Sequence, residues 1–246
     1  MKKIAFSAFA LLGLSGWHPV FSQSDIFFKS GTVEYERTQN IMATFNHDPR
    51  LQGYVDKTGS EIYTSFFTLT ILPDQTLYQF SKNNGRYNQF PEMPADINTV
   101  YYDLKNKKRV VQKNINGKEY TITNEARNLE WKLTDERRTI AGYDCRRANT
   151  LLFDSIYVVA FFCDKFIPQV GPESFGGLPG LILGLAIPNE HISWFAKKVT
   201  PMENLPPITP SIGANPISTF EFHTLLETKI RPIPKFGFTM YKRALL

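Results

Sequence analysis

Two cysteines, a serine among glycines and the three scattered histidines that follow His18 of the expected leader are the residues whose types could do chemistry in this chain. Cys145 and Cys163 bracket "GYDCRRANTLLFDSIYVVAFFCDK". Folded as a hairpin about Asp154, this stretch sets Arg147 opposite Phe161, Thr150 opposite Val158 and Cys145 opposite Cys163. Directly opposed residues bring their β-carbons to about the separation a disulfide needs, so a Cys145–Cys163 disulfide is expected. The loop it closes is short, and the chain-entropy gain is about 3 kcal/mol. Two alternatives stay open at this point: a pair of buried free thiols, or a soft-metal or redox dithiol recruiting His191 and His223. The spacing between the cysteines is not that of a CxxC site.

The serine candidate is Ser174 in "GPESFGG". A hydrolase elbow needs glycine two residues before the nucleophile and two after, so that its strained turn clears its neighbours. Gly176 satisfies one side, but position 172 is proline. No histidine and aspartate assign themselves as triad partners by order or spacing. A hydrolase built from Glu173, Ser174, Glu190 and His191 is therefore the weakest reading. A phosphate-cradling loop also fails, because no Lys followed by Ser or Thr comes after these glycines. His47, His191 and His223 lack the close spacing of a metal site, and no cofactor is expected.

The elements that must position these residues read as strands. Aromatic and β-branched residues alternate in short runs such as "GTVEYER", "SFFTLTIL", "TLYQFSK", "TVYYDLK", "KRVVQKN", "KEYTITN", "LEWKLT", "RRTIAG" and "ISWFAKKV". Turn chemistry joins them at "ILPDQTLY", at "NING" (Asn114 to Gly117) and at "PNEH" (Pro188 to His191). "LILGLAI" is apolar at nearly every position, so it must be covered on both faces, or carry Gly184 where another backbone or a ligand comes close. The preceding "GPESFGGLPG" is then a rigid corner leading into the centre of the sheet. Helix signals are few. "TQNIMATF" makes one short helix, and "NPISTFEFHTLLETKI" another, with Asn215 as cap and Pro216 at the first helical position. The proline-rich 200–216 reads as an edge loop. The expectation is a mainly β chain: a curved antiparallel sheet or half-barrel with one or two short helices, as one domain over 24–246.

Residues 1–23 read as an export signal, with Lys2 and Lys3, an apolar run from Ile4 to Leu14 and "FSQ" at the end. That run, and every later one, falls short of the roughly 18 apolar residues of a membrane span. A periplasmic or secreted protein is expected. The formal charge of +5 includes the two leader lysines. Its dense patch, "KNKKR" from Lys105 to Arg109, fits a hairpin turn better than a nucleic-acid surface.

The hexapeptide Gly177, Leu178, Pro179, Gly180, Leu181, Ile182 resembles the signature of the GLPGLI family of exported bacterial proteins. "WKLTDERRTIAGYDCRRA", from Trp131 to Ala148, is similar to that family's Trp strand followed by an I-x-Gly-Tyr-x-Cys-x-x-Ala strand. The resemblance implies an open, half-barrel fold like that of lipoprotein carriers. It also implies a place beside TonB-dependent outer-membrane uptake systems, with an outer-membrane transporter or another envelope protein as partner. This chain departs from the family at Phe161, Phe162 and Cys163, so the resemblance does not imply a disulfide there in relatives. The function expected is a non-enzymatic binding or accessory protein whose concave apolar face takes a lipid, a peptide or a partner, lined by Tyr143, Phe161, Phe175, Leu178, Leu181 and Trp194.

Overall fold

The computed structural model describes residues 28–83, 96–125, 128–210, 213 and 215–246. The expected leader lies outside these residues. Twelve strands form one open sheet: β1 (Gly31–Asn40), β2 (Ile62–Ile71), β3 (Gln75–Asn83), β4 (Thr99–Asp103), β5 (Lys108–Ile115), β6 (Lys118–Glu125), β7 (Lys132–Ile140), β8 (Tyr143–Leu152), β9 (Ile156–Cys163), β10 (Leu181–Ile187), β11 (Ile192–Pro201) and β12 (Pro216–Ile217). Their order is β12-β6-β5-β4-β3-β2-β1-β11-β10-β9-β8-β7. Every pair is antiparallel except the two-residue β12, which runs parallel to β6. Two meanders, β1 to β6 and β7 to β11, thus join where β1 meets β11.

Alternation sets the inward face. β1 buries Val33, Tyr35, Arg37 and Gln39, and β5 buries Arg109, Val111, Lys113 and Ile115. The inward face therefore carries charged as well as apolar residues under the same period of two. The principal core gathers Tyr35, Phe67, Leu69, Tyr78, Phe162, Leu181, Leu185 and Trp194. A smaller cluster packs Ile115, Tyr120 and Ile122 against the C-terminal helices.

The corner behaves as its composition predicts. Residues 164–180 leave β9, cross the sheet and return at β10, where Ile182 N donates to Val170 O (2.9 Å) and Trp131 Nε1 donates to Gly176 O (2.9 Å). β10 is buried along almost its whole length. What comes close at Gly184 is neither backbone nor ligand. Ile140 Cδ1 and the Phe195 ring fill the space where a β-carbon would stand. Arg138 of β7 also lies over the Phe161 and Phe195 rings, at 5.9 and 4.6 Å.

Several expectations are corrected in detail. "LEWKLT" and "RRTIAG" form one edge strand, β7, because the polar Asp135 and Glu136 are tolerated on an exposed edge and ride over a register shift between Leu133 and Arg137. The short helix after β1 is present as α1 (Ile41–Thr44), capped by Asn40, whose side chain accepts from Ala43 N (2.9 Å). A second helix, α2 (Gln52–Thr58), follows it unforeseen. The later helix begins at Ser218 rather than Asn215. Pro216 belongs to β12, and a reciprocal Ser218–Glu221 capping box starts α3 (Thr219–Leu225). That helix continues as a π turn over Leu226–Ile230, and α4 (Gly237–Ala244) closes the chain.

The β8–β9 hairpin has the expected register, with Arg147 opposite Phe161 and Thr150 opposite Val158. The disulfide is nonetheless corrected: Cys145 and Cys163 are both buried free thiols. The ladder ends at Arg146 opposite Phe162. Beyond it, each cysteine pairs with the strand on its other side, Cys145 with Arg138 of β7 and Cys163 with Leu181 of β10. The β8–β9 ladder does not continue to a backbone pair between the two cysteines.

Candidate functional site

The expected apolar lining is mostly core. Phe161, Leu178, Leu181 and Trp194 are buried in the principal cluster, and half-buried Tyr143 packs edge-on against Phe166. Phe175, also in that cluster, lines the first cavity described below. The strands instead converge on a charged concave interior, which the sheet places between β3–β5, the 169–177 corner and the C-terminal helices.

Glu173 stands at its centre. It is buried, and its backbone is in the left-handed region at φ 55°, a conformation uncommon for a residue with a side chain. Tyr78 Oη donates to its Oε1 (3.3 Å) and Asn98 Nδ2 to its Oε2 (2.9 Å). Burial pushes the Glu173 carboxyl above its ordinary range, opposed chiefly by the charge of Lys113. Burial likewise drives the Tyr78 phenol up, with the Glu173 charge adding to it. Tyr78 is held flat against Phe67, with ring centroids 4.9 Å apart.

A cavity of about 260 Å³ opens beside this carboxyl, between Tyr78, Tyr102 and Arg109 on one side and Val170, Ser174 and Phe175 on the other. Arg109 Nη1 donates to the Ser174 carbonyl (2.8 Å) and bridges strand to corner. Burial lowers the Arg109 guanidinium to about 10. On the far side of that bridge lies a second cavity of about 220 Å³, walled by Arg109, Val111 and Lys113 of β5, by Ile122, and by Phe222 and Leu245 of the C-terminal segment. Phe153, at the tip of the β8–β9 hairpin, lines it too. β5 and β9 stand seven places apart in the strand order, so the sheet curls round to bring them to one cavity.

α4 is clamped over this interior by buried charge. Arg37 Nη2 meets Asp96 Oδ1 at 2.8 Å, Arg243 Nη1 lies 3.9 Å from the same oxygen, and Arg243 Nη1 donates to Gln39 Oε1 (2.7 Å). Lys242 pairs with buried Glu190. Burial, and then the nearby Arg37 charge, lowers Arg243 to about 10.

The residues of the alternative readings do not converge. Glu173 and Ser174 precede β10, whereas Glu190 and His191 follow it in the turn to β11, with Glu190 committed to Lys242. Among the described residues no group of three or more His, Cys, Asp and Glu could hold a metal ion, so Cys145, Cys163, His191 and His223 form no common site. The Cys163 thiol is held down to about 7 chiefly by its interaction with Cys145, whose own thiol is pushed up by the same contact and by burial. No helix among the described residues is long and apolar enough to cross a membrane.

The sequence reading missed Arg37, Asp96, Asn98, Arg109, Lys113 and Arg243. A signal existed for three of them: Arg37 is in phase with Val33 and Tyr35, and Arg109 and Lys113 with Val111 and Ile115, so alternation alone puts them on the buried face.

No family model matches the chain, and no curated protein matches it. Solved structures of PNGF-II do resemble it. In the P21 space group the TM-score is 0.51 at 15% identity, over 82% of this chain and 34% of that one. In the C2 space group it is 0.50 at 16%, over 87% and 33%. The chain therefore spans about a third of the PNGF-II chains it resembles. At this identity the likeness is one of fold.

Proposed function

We propose that this chain is a non-enzymatic binding or accessory protein of the bacterial envelope, exported by residues 1–23, that receives its ligand in the cleft between β3–β5 and the 169–177 corner. The observation that carries the reading is the pair of adjoining cavities on the concave face, which share Arg109 and Ser174 in their walls. Together they fall within the range of small-molecule sites, roughly 300–1,000 Å³. Glu173, the carboxylate beside the first cavity, has one oxygen engaged by Tyr78 and the other by Asn98, an arrangement that holds a carboxyl in place rather than offering it as a base. The resemblance of Gly177 to Ile182 to the GLPGLI hexapeptide supports an envelope setting, with an outer-membrane uptake transporter as the partner.

The test is affinity capture of the tagged, exported protein from envelope extracts, with native mass spectrometry of the eluate. The reading expects a small-molecule adduct, an envelope transporter, or both. A bare chain mass with no envelope protein above a mock capture overturns it.

A further inference from the structure

The second cavity carries more information than the first, because its wall is chemically one-sided. From β5 it receives Arg109 and Lys113, both buried, and from α3 it receives His223, while among the described residues no carboxylate lines it. Most of its remaining wall is apolar, with Val111, Ile122, Phe222 and Leu245, and Ser174 and Thr219 add two hydroxyls. Arg109 and Lys113 flank Val111 on the inward face of β5, and these cations beside aliphatic and aromatic surface match a molecule with one anionic head and one apolar chain.

An independent observation concerns the mouth. Phe153 and Asp154 have φ of 51° and 55°. Both lie in the three-residue loop between Leu152 and Ile156, and a bulky side chain in the left-handed region is an outlier. Strain of this kind persists where the surrounding structure uses the residue. Phe153 is 43% exposed, lines the cavity, and meets the His223 ring edge-on at 5.6 Å. A large apolar side chain is thus kept, at a cost to the turn, where the cavity meets solvent.

Resting on the binding function proposed above, we propose that this cavity is an acyl-carboxylate site. A single medium-length chain ending in a carboxylate enters past Phe153, its head against Arg109 and Lys113 and its tail against Ile122 and Phe222. The desolvation that lowers the Arg109 guanidinium is the environment in which an anion is bound strongly.

The test is isothermal titration of the intact protein, stripped of bound material, with decanoate and with decyltrimethylammonium, which has the same chain and the opposite charge. One decanoate binds per chain, and the cation binds at least about tenfold more weakly. Phe153→Gly suits the turn conformation and so keeps the fold, and it weakens decanoate by about tenfold through loss of apolar contact. Lys113→Met narrows the preference between the two ions, provided thermal melting shows it folded. Equal affinity for the two ions, no binding of decanoate, or an unchanged Phe153→Gly overturns the proposal. If a different adduct is seen by native mass spectrometry and decanoate fails to displace it, the binding reading stands and the acyl-carboxylate site falls.

Discussion

Replacing Gly180 by alanine tests the corner that places Glu173 and Ser174 in the cleft. A β-carbon built there stands 2.2 Å from the Cys163 carbonyl oxygen and 2.7 Å from its carbon, so backbone rather than a flexible side chain must move. Its φ of 143° is itself a glycine conformation. Backbone strain costs of order 1–3 kcal/mol, and forcing an added carbon into packed structure another 1–3, so Gly180→Ala loses about 2–6 kcal/mol. Against a total stability of about 5–15 kcal/mol, that is a large fraction. Gly177, three residues earlier in the same hexapeptide, is the internal control: its φ is 83°, and a β-carbon there meets nothing within 4 Å. Gly177→Ala carries only the conformational cost, about 1–2 kcal/mol. Urea unfolding followed by tryptophan fluorescence reads both variants, since Trp131 is bonded to the corner and Trp194 sits in the core beneath it. At about 2–4 °C per kcal/mol for a chain of this size, Gly180→Ala melts of the order of 10 °C lower. Gly177→Ala as damaging as Gly180→Ala, or a Gly180→Ala within experimental error of wild type, refutes the reasoning.

Asp96→Asn leaves the buried Arg37 and Arg243 guanidiniums without their shared carboxylate and costs about 3–5 kcal/mol by chemical denaturation; a loss under 1 kcal/mol contradicts the buried network. Because burial raises the Glu173 carboxyl above its ordinary 4.5, the native state keeps that proton longer than the unfolded chain does. The stability this group contributes is complete below about pH 4.5 and declines as pH rises until the folded carboxyl has ionised. Glu173→Gln removes that decline, and denaturant midpoints measured across pH check it, equal slopes in the two proteins being the contrary result. Both cysteines alkylate once the chain is unfolded without reductant, and reductant leaves the melting temperature unchanged; a mass two hydrogens lighter, restored by reduction, would show a bridge instead. In the folded protein alkylation is slow despite the lowered Cys163 thiol, because both sulfurs are buried.

The sheet was legible because period-two alternation is a local property. The hairpin about Asp154, the turns at 114–117 and 188–191 and the corner before β10 all follow from residues within a few positions of one another. The disulfide was not legible, because the hairpin register was right while the last rung depends on the neighbours across β7 and β10. The helix start was misplaced because Pro216 suits an edge strand as well as a first helical turn, and Ser218 with Glu221 forms the stronger cap. Core and lining are hard to tell apart in the sequence for a related reason. An apolar run of strand marks what is buried, and in a curled sheet the same residues serve as the core. The charged interior was half written in the alternation of β1 and β5. Its other half, Asp96, Asn98, Glu173 and Arg243, comes from loops and the C-terminal helix, which only the folded chain brings together.

Hydrogen exchange of the protein isolated from the envelope, compared with the same protein after organic extraction, tests most directly whether the concave face is where this molecule binds. The account predicts that extraction releases protection at 108–115, at the 153–154 turn and across 169–177. Identical exchange before and after, or a change confined to the exposed β7 edge, would contradict it.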